Sequence, residues 1–130
     1  MTLKTDGTTR LVLIFGGYAL KIARHHRSRR CNRFEARIWS EATSDRRKML
    51  CPVLACREDG QFLLMLAASA LSQEEAARRR RDFEFPDWDY IPGGESEPFE
   101  YKASEWGKVN GRLVAVDYSA PALLVRGEDY

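Results

Sequence analysis

Apolar residues in this chain come in short runs separated by pairs of turn-forming residues. Arg10–Phe15 reads Arg-Leu-Val-Leu-Ile-Phe and is followed by Gly16-Gly17, then by Tyr18–Ala23, where Lys21 sits between Leu20 and Ile22. Two apolar runs around a Gly-Gly pair predict an antiparallel hairpin. Arg24–Asn32 is polar and basic and reads as a loop or the start of a helix, with Asn32 as a candidate cap. Phe34, Ile38 and then Trp39 or Ala42 recur at helical spacing, and the pattern fades at Thr43-Ser44-Asp45. Met49–Cys56 and Gln61–Leu66 flank Glu58-Asp59-Gly60 and predict a second hairpin. Ser72 before Glu74 and Glu75 marks the start of a short charged helix over Gln73–Arg81. Phe83–Pro98 reads as an ordered loop and Tyr101–Trp106 as a turn of helix. Asn110-Gly111 predicts a third hairpin, with Leu113–Val116 as a buried strand that releases Asp117 into a loop. Ala120–Tyr130 reads as a tail or a last short element.

This order predicts an α+β fold, an antiparallel sheet of hairpins with a packed helix, in one domain over residues 1–130. Residues 8–70 carry two hairpins and the helix, residues 71–98 the charged helix and an aromatic-acidic loop, and residues 99–130 the last hairpin and the tail. At 44% apolar and 11% aromatic, the 130-residue chain has the material for a core without staples. Its 21 basic and 19 acidic residues leave a net charge of +2, which alone does not point to nucleic acid. Cys31, Cys51 and Cys56 lack metal-site spacing and suit reduced thiols; His25, His26 and Cys31 are the only candidates for zinc. A polar beginning and the absence of any long apolar run predict a cytoplasmic protein with no membrane association.

Several positions resemble the protein-kinase and antibiotic-phosphotransferase pattern. Tyr18-Ala19-Leu20-Lys21-Ile22 is similar to the family's third-strand Val-Ala-Ile-Lys element, and Glu35 in Phe34-Glu35-Ala36 stands where the family's helix pairs that lysine. Val53–Leu66 resembles the fourth and fifth strands, and Leu66-Ala67-Ala68-Ser69 the hinge. Asp117-Tyr118-Ser119 stands in place of Asp-Phe-Gly, without its glycine. The resemblance implies a kinase N-lobe with a minimal catalytic-loop hairpin, in which Lys21 and Glu35 bind the cofactor. Glu105 and Asp117 would hold Mg²⁺, and Glu100 and Asp117 would do the catalysis. It also departs from the family. Glu105 replaces an amide, no His-Arg-Asp triplet precedes it, and the residues before Arg10 hold one glycine, Gly7, too little for a first strand with a phosphate-covering loop. A complete two-lobed kinase would need about twice this length.

Two further patterns bear on partners. Arg24, Arg27, Arg29, Arg30 and Arg33 form a dense basic run, and Arg78–Arg81 a second; either suits nucleic-acid phosphates or an acidic protein. Phe83–Ile91 alternates aromatics with acids and offers Trp88 and Tyr90 as anchors for a partner. Together these features imply a non-catalytic, pseudokinase-like binding protein without a cofactor. It would act as an inhibitor or adaptor of a protein or ribonucleoprotein; a phage anti-defence protein of the anti-CRISPR type is one concrete case. Two alternatives stay open. One is a small Mg-ATP-dependent phosphotransferase using Lys21, Glu35, Glu100, Glu105 and Asp117. The other is a nucleic-acid-binding module using Arg24–Arg33.

Overall fold

The structure, a computed structural model, describes residues 1–6, 10–88 and 97–121. It is α+β, with an antiparallel sheet of hairpins and a few helices. The first sheet holds β1 (Thr2–Asp6), β2 (Arg10–Phe15), β3 (Tyr18–Ala23), β4 (Val53–Cys56) and β5 (Phe62–Leu66), in the order β1-β2-β3-β5-β4. Gly16 and Gly17 have φ of 55° and 114°, the left-handed geometry that lets a two-residue turn follow strand twist. Phe15 therefore pairs with Tyr18 and Arg10 with Ala23. β3 then pairs with β5, from Tyr18 opposite Leu66 to Ile22 opposite Phe62.

Helix α1 (His26–Glu41) packs on one face of this sheet, and α2 (Ser44–Arg47) follows with Thr43 as its cap. A smaller sheet holds β6 (Ser69–Ala70), β7 (Trp106–Val109) and β8 (Arg112–Ala115) in that order, and α3 (Gln73–Asp82) lies between β6 and β7 in the chain. The two sheets are stitched where Cys51 N–H donates to Ala115 O and Ala115 N–H donates to Met49 O, each at 2.8 Å. Leu50, Leu63, Met65, Val114, Ala115 and Tyr118 fill the core at this seam. Among the described residues no helix is long and apolar enough to cross a membrane.

Several expectations are corrected. A first strand does precede Arg10: β1 pairs with β2 from Thr2 opposite Ile14 to Asp6 opposite Arg10. Of the two readings of the basic run, loop or helix start, the helix holds, and its cap is His25 rather than Asn32. His25 Nδ1 accepts from Ser28 N–H, and Ser28 Oγ accepts from His25 N–H. Asn32 is not a cap; it is buried inside α1 and donates Nδ2 to Lys21 O and Gly60 O. Trp88 is only 3% exposed, edge-on to Phe99 and covered by the Arg46 guanidinium, so its ring is core rather than a surface anchor. Tyr90 lies outside the described residues.

Candidate functional site

Strand alternation puts Arg10, Val12 and Ile14 of β2 on one face with Ala23, Lys21 and Ala19 of β3, since directly paired residues share a face. Leu63 and Met65 of β5 continue that face. Where it meets α1, four charged groups converge. Lys21 Nζ donates to Glu35 Oε1 at 2.9 Å, so the pairing expected between strand and helix is present. Arg10, unremarked in the sequence, joins them. Its Nη1 lies 2.8 Å from Glu35 Oε1 and its Nη2 3.3 Å from Glu35 Oε2, a two-pronged contact. Nη2 also reaches Asp117 Oδ1 at 3.1 Å, and Nη1 reaches Asn32 Oδ1 at 3.0 Å.

Arg10 is 1% exposed and Glu35 fully buried. Two cations face two carboxylates, so the cluster is formally neutral, the condition under which buried charge is tolerated. Backbone groups complete it. Tyr118 N–H donates to Glu35 Oε2 at 2.7 Å, and Lys21 donates to Val116 O at 2.6 Å. The segment after β8 is thus fastened to α1 and β3. The Tyr118 hydroxyl donates to Cys51 O at 2.8 Å, and burial pushes its pKa well above the ordinary phenol value.

A cleft of about 510 Å³ opens beside this cluster. Val12, Ile14, Ala19, Met65, Leu66 and Ala68 make its apolar wall; Lys21, Glu105, Asp117 and Ser119 make its polar end; Lys4 and Lys102 stand at the rim. Glu105, in a 3-10 turn over Ala103–Glu105, is half-buried. Desolvation first, and the Asp117 charge second, push its carboxyl up to about 7. A more open groove of about 550 Å³, lined by Met49, Phe85, Pro86 and Leu113 among others, contains none of the candidate site residues.

Glu100 stands apart from the cleft. Its side chain pairs with Lys102 at 3.1 Å near the surface, and only its backbone N–H reaches Glu105. Asp117 fits a metal poorly: the same Oδ1 receives Arg10 Nη2, Ser119 Oγ and Ser119 N–H. Among the described residues no group of three or more His, Cys, Asp or Glu is placed to hold a metal ion. The zinc candidates are also dispersed in role, with His25 used as a cap and Cys31 sealed in the interior.

The basic run sits on α1. Arg24 is exposed, Arg29 Nε donates to Gln61 Oε1, Arg33 Nη1 donates to Asp59 O, and Arg27 and Arg30 are half-buried. Comparisons of the chain with family models, with curated proteins and with solved structures return no match.

Sequence reasoning missed the roles of Arg10 and Ser119, and assigned Asn32 to a cap rather than to this cluster. Arg10 carried one usable signal: it occupies the inward phase of β2, two residues before Val12 and four before Ile14. A charge at an inward position needs a partner.

Proposed function

We propose that this chain is a kinase-like domain that does not transfer phosphate and acts by binding a macromolecule, as an inhibitor or adaptor. The strand order, the Lys21–Glu35 pair and the delivery of Asp117 by the β7–β8 hairpin support the kinase-like reading. One observation carries the non-catalytic half: Arg10 is ion-paired to Asp117, the residue that the resemblance assigns to Mg²⁺. Phosphoryl transfer rests on positioning and on metal charge at the phosphates. A guanidinium held on Asp117 opposes the approach of a divalent cation. Glu100, the candidate base, pairs with Lys102 at the rim and does not itself line the cleft.

The test is a thermal melt with and without millimolar Mg-ATP, because a ligand that binds only the folded state raises the midpoint. The expected result is no magnesium-dependent rise. A rise that requires Mg²⁺ and disappears in Asp117→Ala would overturn the reading in favour of a phosphotransferase.

A further inference from the structure

The chain carries two arginine-rich helices, and they treat their charge in opposite ways. In α3 three of the four arginines of the basic run are answered locally. Arg79 pairs with Glu75 at 2.8 Å, Arg78 with Glu84 at 2.8 Å, and Arg81 with Asp82 at 3.2 Å. Such pairing is what a solvated helix uses to steady itself. In α1, Arg29, Arg33 and Arg37 succeed one another at intervals of four, on one face of the helix. Among the described residues none of these three, nor Arg24 just before the helix, forms an ion pair. Like charges at this spacing disfavour a helix, and the chain keeps them nonetheless.

The acids nearby do not cancel this stripe. Of the two glutamates in α1, Glu35 is buried under Arg10 and Lys21, and Glu41, which follows Arg37 at the same spacing at the end of the helix, forms no ion pair among the described residues. Asp59, whose backbone carbonyl receives Arg33, gives its carboxylate to Arg57 and to Gln61 N–H. Arg29 is held by Gln61 and Arg33 by that carbonyl, so both guanidiniums are oriented rather than loose. Successive members of the stripe rise about 6 Å along the helix axis. Phe34 is half-buried with the Arg37 guanidinium over its ring at 5.0 Å, so the stripe offers guanidiniums and no bare aromatic for stacking bases.

We propose that α1 lays the Arg29–Arg33–Arg37 stripe, with Arg24, along the phosphate backbone of a double-stranded nucleic acid. Oriented guanidiniums grip phosphate oxygens, and the absence of a stacking platform favours the backbone of a duplex over the bases of a single strand. This inference rests on the binding reading and gives it a partner. The two fail separately: a magnesium-dependent Mg-ATP shift would remove the non-catalytic reading and leave the stripe untouched.

The test is fluorescence anisotropy with labelled DNA and RNA duplexes of about 24 base pairs, read across a salt series. With three to four phosphates neutralised, raising salt from about 50 to about 200 mM should weaken binding roughly 40- to 150-fold. R29Q/R33Q/R37Q should lose at least about tenfold in affinity and flatten the salt dependence, while R29K/R33K/R37K keeps both. R78Q/R79Q/R81Q, which removes the three compensated arginines of α3, should bind as the parent does. Circular dichroism melts check that every variant is folded. The DNA and RNA arms tell which duplex is preferred, and binding to either supports the proposal. It is overturned by three results: no binding to either duplex at the lowest salt, an unchanged salt slope in folded R29Q/R33Q/R37Q, or displacement by polyglutamate at equal charge concentration.

Discussion

The Arg10 guanidinium lies 3.1 Å from the Asp117 carboxylate, although 107 positions separate them in the chain. The same guanidinium grips Glu35, so one side chain ties the first hairpin to α1 and to the segment after β8. Removing one partner of a buried ion pair costs more than the pair contributes, because the remaining charges lose their solvation without recompense. Arg10→Met keeps the apolar stem and removes the charge, leaving Lys21 alone to answer two carboxylates. The expected loss is about 3–5 kcal/mol in urea unfolding. A loss under about 1 kcal/mol would mean that water reaches the cluster, contrary to the burial of Arg10.

Glu35 and Lys21 are partners of unequal weight. Glu35 accepts from Arg10, Lys21 and the Tyr118 backbone, whereas Lys21 donates to Glu35 and to one carbonyl. Glu35→Gln leaves two cations facing only Asp117 and should cost about 3–5 kcal/mol. Lys21→Met leaves the two-pronged Arg10–Glu35 contact in place and should cost about 1–3 kcal/mol, the price of one unsatisfied buried carboxylate hydrogen bond. The order of the two losses is the diagnostic quantity. Equal losses in denaturant titrations would show that Arg10 does not carry the carboxylate by itself.

The three hairpins were readable because their turns are written in local chemistry: Gly16-Gly17, Asp59-Gly60 and Asn110-Gly111 allow the positive φ that tight turns use. Lys21 and Glu35 were readable for a different reason, since a lysine on an apolar strand asks for an acid on the next element. β1 escaped notice because Thr2–Asp6 is a polar edge strand with Leu3 62% exposed; its pairing, not its pattern, makes it a strand. The residue that caps α1 was not legible, because histidine seldom caps a helix and because Ser28 completes the cap from inside. Arg10 could be flagged as an inward charge, but its partners come from α1 and from the residues after β8, which only the folded chain brings together. The sequence around Trp88 suits either a partner or the domain's own core, and only the fold shows its ring joining Phe99 in the core.

Gly60 tests how closely α1 approaches the β4–β5 turn. Its φ is +79°, and a Cβ there would fall on the backbone carbonyl of Arg29. Its own carbonyl accepts from Asn32 inside α1. Gly60→Ala combines left-handed strain of about 1–2 kcal/mol with displacement of the helix. The expected destabilisation is larger than about 2 kcal/mol. Gly16→Ala is the control: φ is +55° with nothing near the new methyl, so strain alone applies, about 1 kcal/mol. Similar midpoints for the two variants in thermal melts would refute the close helix-to-turn contact.

Glu105 predicts a pH dependence with a definite sign. Its carboxyl titrates near 7 in the folded protein, raised by desolvation and by Asp117, against about 4.3 in an unfolded chain. Between those values the folded state binds more protons than the unfolded state, so this group makes stability fall as pH rises from about 4.3 to about 7 and contributes no further slope above that. Glu105→Gln keeps the shape and removes the titration, and should flatten this part of the profile. Hydrogen bonding to Glu100 N–H survives in the variant, because the amide oxygen still accepts. The measurement is a series of urea unfolding curves between about pH 5 and pH 8 for both proteins, within the window set by those two values. A parent profile with the same slope as Glu105→Gln would place Glu105 in water rather than at the half-buried end of the cleft.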